Sequence, residues 1–282
     1  QAQAQEKKPG EGWTCYGGPG VPGQMLGGWV PGTIATRFPK GTAMRIQAGQ
    51  VFIVQLHYSF ASLGGAKVEP DQTAFRFQFA KEPVMTQLKM LAHSDHKFSV
   101  PPGAKQHIAG ASIKAGEDMR LWGVQPHMHQ YGSSIKVTVD RGATKECLVD
   151  IPKWDFNWQQ LYLYDEAKQV RVKEGETLEL QCVFDNPTDA PLTWGESTEE
   201  EMCLNYYLYS SSSVEVLHQC ISDKCSDLQK GCMADADCKK AYYCALACAN
   251  TTCAKACGDK APAVGKALFS SVVSCAAKVC LK

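Results

Sequence analysis

Ten of the fourteen cysteines lie between positions 220 and 280, and that crowding constrains the fold more than any other feature of the chain. The other four, Cys15, Cys147, Cys182 and Cys203, are spread through the first 219 residues. An even count at this density calls for disulfides rather than free thiols, and so for an oxidising compartment. A cytosolic store of reduced thiols is the competing reading. The opening residues QAQAQEKKPGEG have no apolar core and read as the new end left by a removed signal peptide, so a secreted, extracellular or periplasmic location is expected.

Within the cysteine-rich stretch, Cys244/Cys248 and Cys253/Cys257 repeat at i, i+4. That spacing sets both thiols of a pair on one helical face, so two such helices laid antiparallel could be riveted by two bridges. Residues 214–282 are therefore expected to form a small helical module stapled by five internal disulfides whose connectivity stays open. The spacings lack paired C-x-x-C, which argues against a zinc site. Thiols holding reduced copper are the other reading of this tail. As a staple it would serve stability, surface attachment or partner docking, and Asn250-Thr251-Thr252 is a glycosylation sequon within it.

Upstream, the dominant period is two. Runs at 51–60, 73–80, 84–92, 119–129, 133–140, 159–164, 170–184 and 203–210 are rich in β-branched and aromatic residues and contain no helical pattern. Pro101-Pro102-Gly103 and Asn186-Pro187 mark corners. This predicts a mainly β protein: a jelly-roll-like antiparallel β-sandwich over 26–213, preceded by an irregular segment 1–25 and followed by the helical module. The Gly- and Pro-rich first forty residues are expected to drape over the sandwich. With 29 basic against 29 acidic side chains there is no electrostatic footprint for nucleic acid. No run approaches the roughly 20 apolar residues of a transmembrane segment.

His127 and His129 in QPHMHQYG have strand spacing, which projects both imidazoles from one face with Cα atoms roughly 6 to 7 Å apart. Two such nitrogens can close on one copper or zinc ion at about 2 Å each. The plain alternative is a pair of surface histidines. Met202 and Cys203 open the last strand run, and alternation lets Met202 look toward the histidines while Cys203 looks away, with Cys182 as an available anchor. A thioether favours reduced copper over harder ions, whereas a core methionine is the usual role of the residue.

Together HMHQYG, EEEMCLNYYLY, the upstream VQLHYSF and FSVPPG resemble the type II copper, ascorbate-dependent monooxygenases over about residues 26–210, specifically the C-terminal catalytic domain of peptidylglycine α-hydroxylating and dopamine β-monooxygenases. The resemblance implies copper ligands His127, His129 and Met202 and a Cys182–Cys203 bridge. It also implies ascorbate or another external electron donor, possible help from an electron-donor protein, and a small-molecule or peptide substrate hydroxylated at a C–H bond. Those enzymes carry a preceding domain with a second copper on an adjacent His-His pair; this sequence has no such pair and is too short for that domain as well. At the carboxylate-gripping positions of the peptide-amidating member stand Gln125, Leu204 and Asn205-Tyr206, which argues against amidation and leaves Tyr206 as a pocket residue. A copper carrier or redox partner without turnover is the rival function.

The remaining residues have plainer readings. His57 is read as buried, in the core or behind the ligands. His93, Asp95 and His96 form an H-x-D-H segment that could bind a second metal, or simply a solvated loop. Trp122, Trp154, Trp158 and Trp194 are read as sandwich core, and Glu199 to Glu201 as a solvated turn.

Overall fold

The computed structural model describes the chain apart from residues 1–11, 16, 47, 48, 59–66, 71, 82, 83, 85, 247, 249, 250, 281 and 282. The first eleven residues and Asn250 of the sequon thus lie outside the described part. Twelve strands precede five α-helices among the described residues: β1 Thr42–Met44, β2 Thr86–Asp95, β3 Ser99–Val100, β4 His107–Lys114, β5 Met119–His127, β6 Gly132–Asp140, β7 Lys145–Ile151, β8 Tyr162–Leu163, β9 Val170–Val172, β10 Thr177–Phe184, β11 Leu192–Thr193 and β12 Cys203–Ser211. The helices are α1 Ser212–Lys224, α2 Ser226–Ala234, α3 Ala236–Leu246, α4 Thr251–Asp259 and α5 Ala263–Val279.

One sheet has the order β1-β2-β12-β5-β8, with β9 also on β5, and the second the order β4-β10-β6-β7; β3 and β11 form a small pair. All pairings are antiparallel except β1 with β2. Alternate residues of the two large sheets meet in one core: Leu121, Val124, Cys203 and Tyr207 from the first, Ile135, Val137, Leu178 and Phe184 from the second. The bridge Cys182–Cys203 ties β10 to β12 through that core. Asn186, wholly buried, joins the two predicted corners, its Nδ2 donating to the carbonyls of Val100, Pro101 and Ala190 at 2.8 to 3.0 Å. On the outer face of the first sheet, Phe38 and Met44 of the early segment cover Leu88, Trp122 and Leu208.

Three expectations need correction. Residues 51–58 and 73–80 are strand-like in pattern, yet no described residue in them joins a ladder. They are exposed, with Phe52 stacked on Phe77 at 4.7 Å, because alternation alone supplies neither a hydrogen-bonding neighbour nor a face to bury against. Conversely β4 and β7 were not foreseen: HIAGASIK is poor in β-formers and is held in place by its register with β10. Trp158 is 64% exposed rather than core, whereas Trp122 and Trp154 are buried.

The helices build a second core around Ile221, Tyr242, Phe269 and Val272. Its five bridges are Cys220–Cys280, Cys225–Cys275, Cys232–Cys238, Cys244–Cys257 and Cys248–Cys253. Cys244–Cys257 joins α3 to α4, but Cys248 lies beyond the end of α3, so of the two expected rivets between helices only one forms and Cys248–Cys253 ties the connection to α4 instead. Asp235 caps α3, its Oδ1 accepting from the N–H groups of Asp237 and Cys238 at 3.1 and 2.7 Å, the normal way to satisfy a helix's first donors. Full pairing of the fourteen cysteines does not hold: Cys15 and Cys147 are unbridged. Among the described residues no helix is long and apolar enough to cross a membrane.

Candidate metal centre

The site begins with an irregularity in β5. Tyr209 pairs with Leu121 and Leu208 with Gly123, so Trp122 is an extra residue on that strand. Strict alternation from the core residue Leu121 would turn both histidines inward. The bulge reverses the pleat: Val124 and Met128 continue the core face, and His127 and His129 take the outer one. Met128 is wholly buried between them and packs under Gly132, where a Cβ would come within 2.6 Å of its Cε. The HMH triplet is therefore two ligand candidates pinned by one anchor.

The two rings lie 5.3 Å apart, edge to face, a separation that suits two imidazoles sharing one ion at about 2 Å from each nitrogen. Gln159 Nε2 donates to the Phe156 carbonyl at 2.7 Å, which points its Oε1 at His127 Nδ1, 2.6 Å away. A carboxamide oxygen only accepts, so His127 carries its proton on Nδ1 and keeps a lone pair on Nε2. His129 Nδ1 likewise donates to the Glu200 carbonyl at 3.0 Å. Ring orientation fixed through the non-ligating nitrogen is the arrangement of metal-binding histidines.

Met202 immediately precedes β12. Leu204 is the register partner of His127, and Met202 precedes it by two residues, while Cys203 between them faces the core and its bridge. The side-by-side placement is fixed by Glu201, whose Oε2 accepts from both His129 N–H at 2.9 Å and Met202 N–H at 3.3 Å. Tyr206 joins the histidine face as the register partner of Gln125.

Elsewhere the predicted candidates separate. His93 points into the core, its Nδ1 3.0 Å from the Tyr207 hydroxyl; His96 stacks on Trp194 at 3.8 Å; Asp95 accepts from the N–H groups of Lys97 and Gly110. The H-x-D-H segment therefore brings no common metal site together. His57 is exposed, not buried, and pairs with Glu196 at 2.7 Å, because the segment carrying it joins no sheet. Glu201 overturns the solvated-turn reading with 0% exposure, since the 194–201 turn folds it inward. At Gly195 a Cβ would lie 1.9 Å from the Glu200 carboxyl carbon, so a larger residue there would displace the Glu200 side chain. Gln159, Glu201 and Met128 had no signal by which the sequence could mark them, apart from the place of Glu201 in EEEMC.

Burial, reinforced by the like charge of His129, pushes the His127 imidazole down to about 4, and burial lowers His129 too. Burial pushes Glu201 up to about 7 against the pull of backbone N–H groups, and burial with the nearby Glu196 charge raises the Tyr206 phenol. Both imidazoles are thus neutral and ready as ligands at ordinary pH. In the metal-free protein the unfolded chain protonates His127 near 6.5 and the folded one near 4. The stability tied to His127 is then complete above about pH 6.5 and lost as pH falls through 4. Urea unfolding of metal-free wild type is expected to lose about 3 kcal/mol more between pH 7 and 4 than the His127→Gln variant does. Equal losses would show that His127 titrates normally.

The protein-family model described as "Copper type II ascorbate-dependent monooxygenase, C-terminal domain" matches residues 85–230, which include both histidines, Met202 and the Cys182–Cys203 bridge. Tyramine beta-hydroxylase of Caenorhabditis briggsae is 24% identical over 237 residues, 77% of this chain and 38% of that protein. DBH-like monooxygenase protein 1 is 27% identical over 126 residues in Gallus gallus (39% of this chain, 20% of that protein) and 33% over 107 in Mus musculus (37% and 17%). The chain thus spans less than two fifths of the length of each of these relatives. With the family model covering more than half of its residues, the chain belongs to the copper type II ascorbate-dependent monooxygenase family, through that family's C-terminal domain.

Proposed function

We propose that the chain holds one copper ion through His127, His129 and Met202 and serves the hydroxylation of a C–H bond, using dioxygen or peroxide and an external reductant such as ascorbate. The observation that carries this reading is the pair of imidazoles whose Nδ1 atoms are both committed to oxygen acceptors, with the Met202 backbone tied to that of His129 through Glu201. Two imidazoles and a thioether suit copper better than magnesium, calcium or iron. The bound ion would supply the redox chemistry, and a three-ligand set leaves room for a co-substrate.

The protein's share is orientation. Gln159 and the Glu200 carbonyl hold the rings, and the core anchors Met128 and Cys203 hold the two backbones. Beside the ligands, Gln125, Leu204 and Tyr206 present an amide, an alkyl chain and a phenol on one face, with no cation among them. This supports a small-molecule substrate held by hydrogen bonding and apolar contact rather than by its carboxylate. Burial keeps the Tyr206 hydroxyl protonated, and so able to donate. The six disulfides support an extracellular setting.

Loaded with one equivalent of copper and supplied with ascorbate and oxygen, the protein is expected to consume oxygen with some members of a panel of small C–H substrates, and to stop when a chelator removes the metal. Full turnover in a copper-free preparation refutes the proposal. Tight copper retention without turnover across the panel replaces it by a carrier or redox partner.

A further inference from the structure

Glu201 is a buried acid for which neither the fold nor the ligand set accounts. Its side chain is wholly inaccessible and, among the described residues, makes no ion pair. A carboxyl group in that position is costly unless hydrogen bonds compensate it. The compensation is specific. Oε2 accepts from the N–H of His129 at 2.9 Å and of Met202 at 3.3 Å, and Oε1 accepts from the N–H of Tyr131 at 2.6 Å.

Two of those donors sit in the loop that follows β5, about seventy residues upstream; the third belongs to the next residue in the chain. The backbone of Glu201 is meanwhile tied to the neighbouring strand end, its N–H donating to the Thr193 carbonyl and its carbonyl accepting from Gly195 N–H, both at 3.1 Å. The main chain of residue 201 is therefore fixed from one side while its side chain fixes the histidine loop from the other. A single oxygen is the common point of the His129 and Met202 backbones.

We propose that Glu201 is a positioning residue of the copper centre: its carboxyl holds the backbones of His129 and Met202 at a set separation, so that imidazole and thioether are registered on each other before any ion arrives. The inference rests on the reading that His127, His129 and Met202 are the ligands. Neither imidazole needs Glu201 for its orientation, since Gln159 and the Glu200 carbonyl provide that. What depends on Glu201 is the coupling of the methionine to the histidine loop. Gln has the same size but would turn an amide N–H₂ toward one of these N–H donors, so at least one of the three bonds is lost.

The test uses the full chain reduced with ascorbate and loaded with one equivalent of copper, and reads the sulfur contribution to the copper K-edge fine structure together with the copper(I) dissociation constant from competition with a chromogenic chelator. Wild type is expected to show nitrogen and sulfur scattering. Glu201→Gln is expected to keep the nitrogen shell, lose the sulfur and bind copper(I) roughly 10- to 100-fold more weakly, the usual effect of losing a group that orients a ligand. Glu199→Gln, two residues away on the exposed turn, should match wild type. Absence of sulfur in wild type defeats the ligand reading itself. Sulfur and affinity both unchanged in Glu201→Gln, with sulfur present in wild type, overturn the role of Glu201. Should that variant fail to fold, amide exchange in metal-free wild type decides: His129, Tyr131 and Met202 protected together supports the clamp, and free exchange at His129 or Met202 removes it.

Discussion

Replacing Met202 by isoleucine is expected to cut substrate-dependent oxygen consumption by roughly a hundredfold or more while leaving the sandwich folded, since even groups behind a metal's ligands are worth 10- to 100-fold. The substitution exchanges one half-buried apolar side chain for another of similar volume, and the backbone N–H that bonds Glu201 stays in place. Its packing cost should stay under about 1.5 kcal/mol. What disappears is the thioether, the soft donor that the proposal assigns to the ion and the group that suits reduced copper. Oxygen-electrode rates and a thermal melt on the same preparation separate the two effects. Wild-type turnover from a folded Met202→Ile protein would remove the methionine from the proposed chemistry.

The second large effect belongs to the bridge beside that methionine. Cys182 and Cys203 are both fully buried and join the two sheets across a closure of 21 residues. Opening that loop in the unfolded chain costs the native state about 3 kcal/mol by chain entropy. In the Cys182→Ala/Cys203→Ala protein the melting temperature is expected to fall by roughly 6 to 12 °C. Copper retention should weaken as well, because Cys203 holds the strand from which Met202 projects. A melting point within a degree or two of wild type would mean that the surrounding core, not the bridge, fixes the strand.

How much of this could be read from the residues depends on how local each determinant is. The i, i+4 cysteines carried enough information to predict a bridge between two helices, which Cys244–Cys257 makes, because thiol placement on a helix follows from its pitch; Cys248 lies beyond the end of α3, and where a helix stops is not set by that spacing. The strands at 133–140, 177–184 and 203–211 were legible for a similar reason: each buries alternate residues. The runs at 51–58 and 73–80 have the same alternation and form no ladder, since a strand is completed by a neighbour that its own residues do not specify. His57 and Trp158 were misjudged with them, as burial is a property of what lies opposite. At the site, the histidine pair and the methionine were visible as residue types at telling spacings. The carboxamide of Gln159 and the carboxyl of Glu201 were not, because nothing in NWQQ or in a run of three glutamates distinguishes the one side chain that turns inward.

The order of residues alone thus determined the class of fold, the stapled helical end, the identities of the candidate donors and the alternation that separates Met202 from Cys203. Tertiary structure decided which way those donors face. In β5 the outcome hangs on one extra residue: without the bulge at Trp122 the pleat would carry His127 and His129 into the core, and with it they take the outer face. Such a bulge exists only relative to the register of the adjoining β12 strand. It arises from pairing between segments some eighty residues apart, which no local pattern encodes.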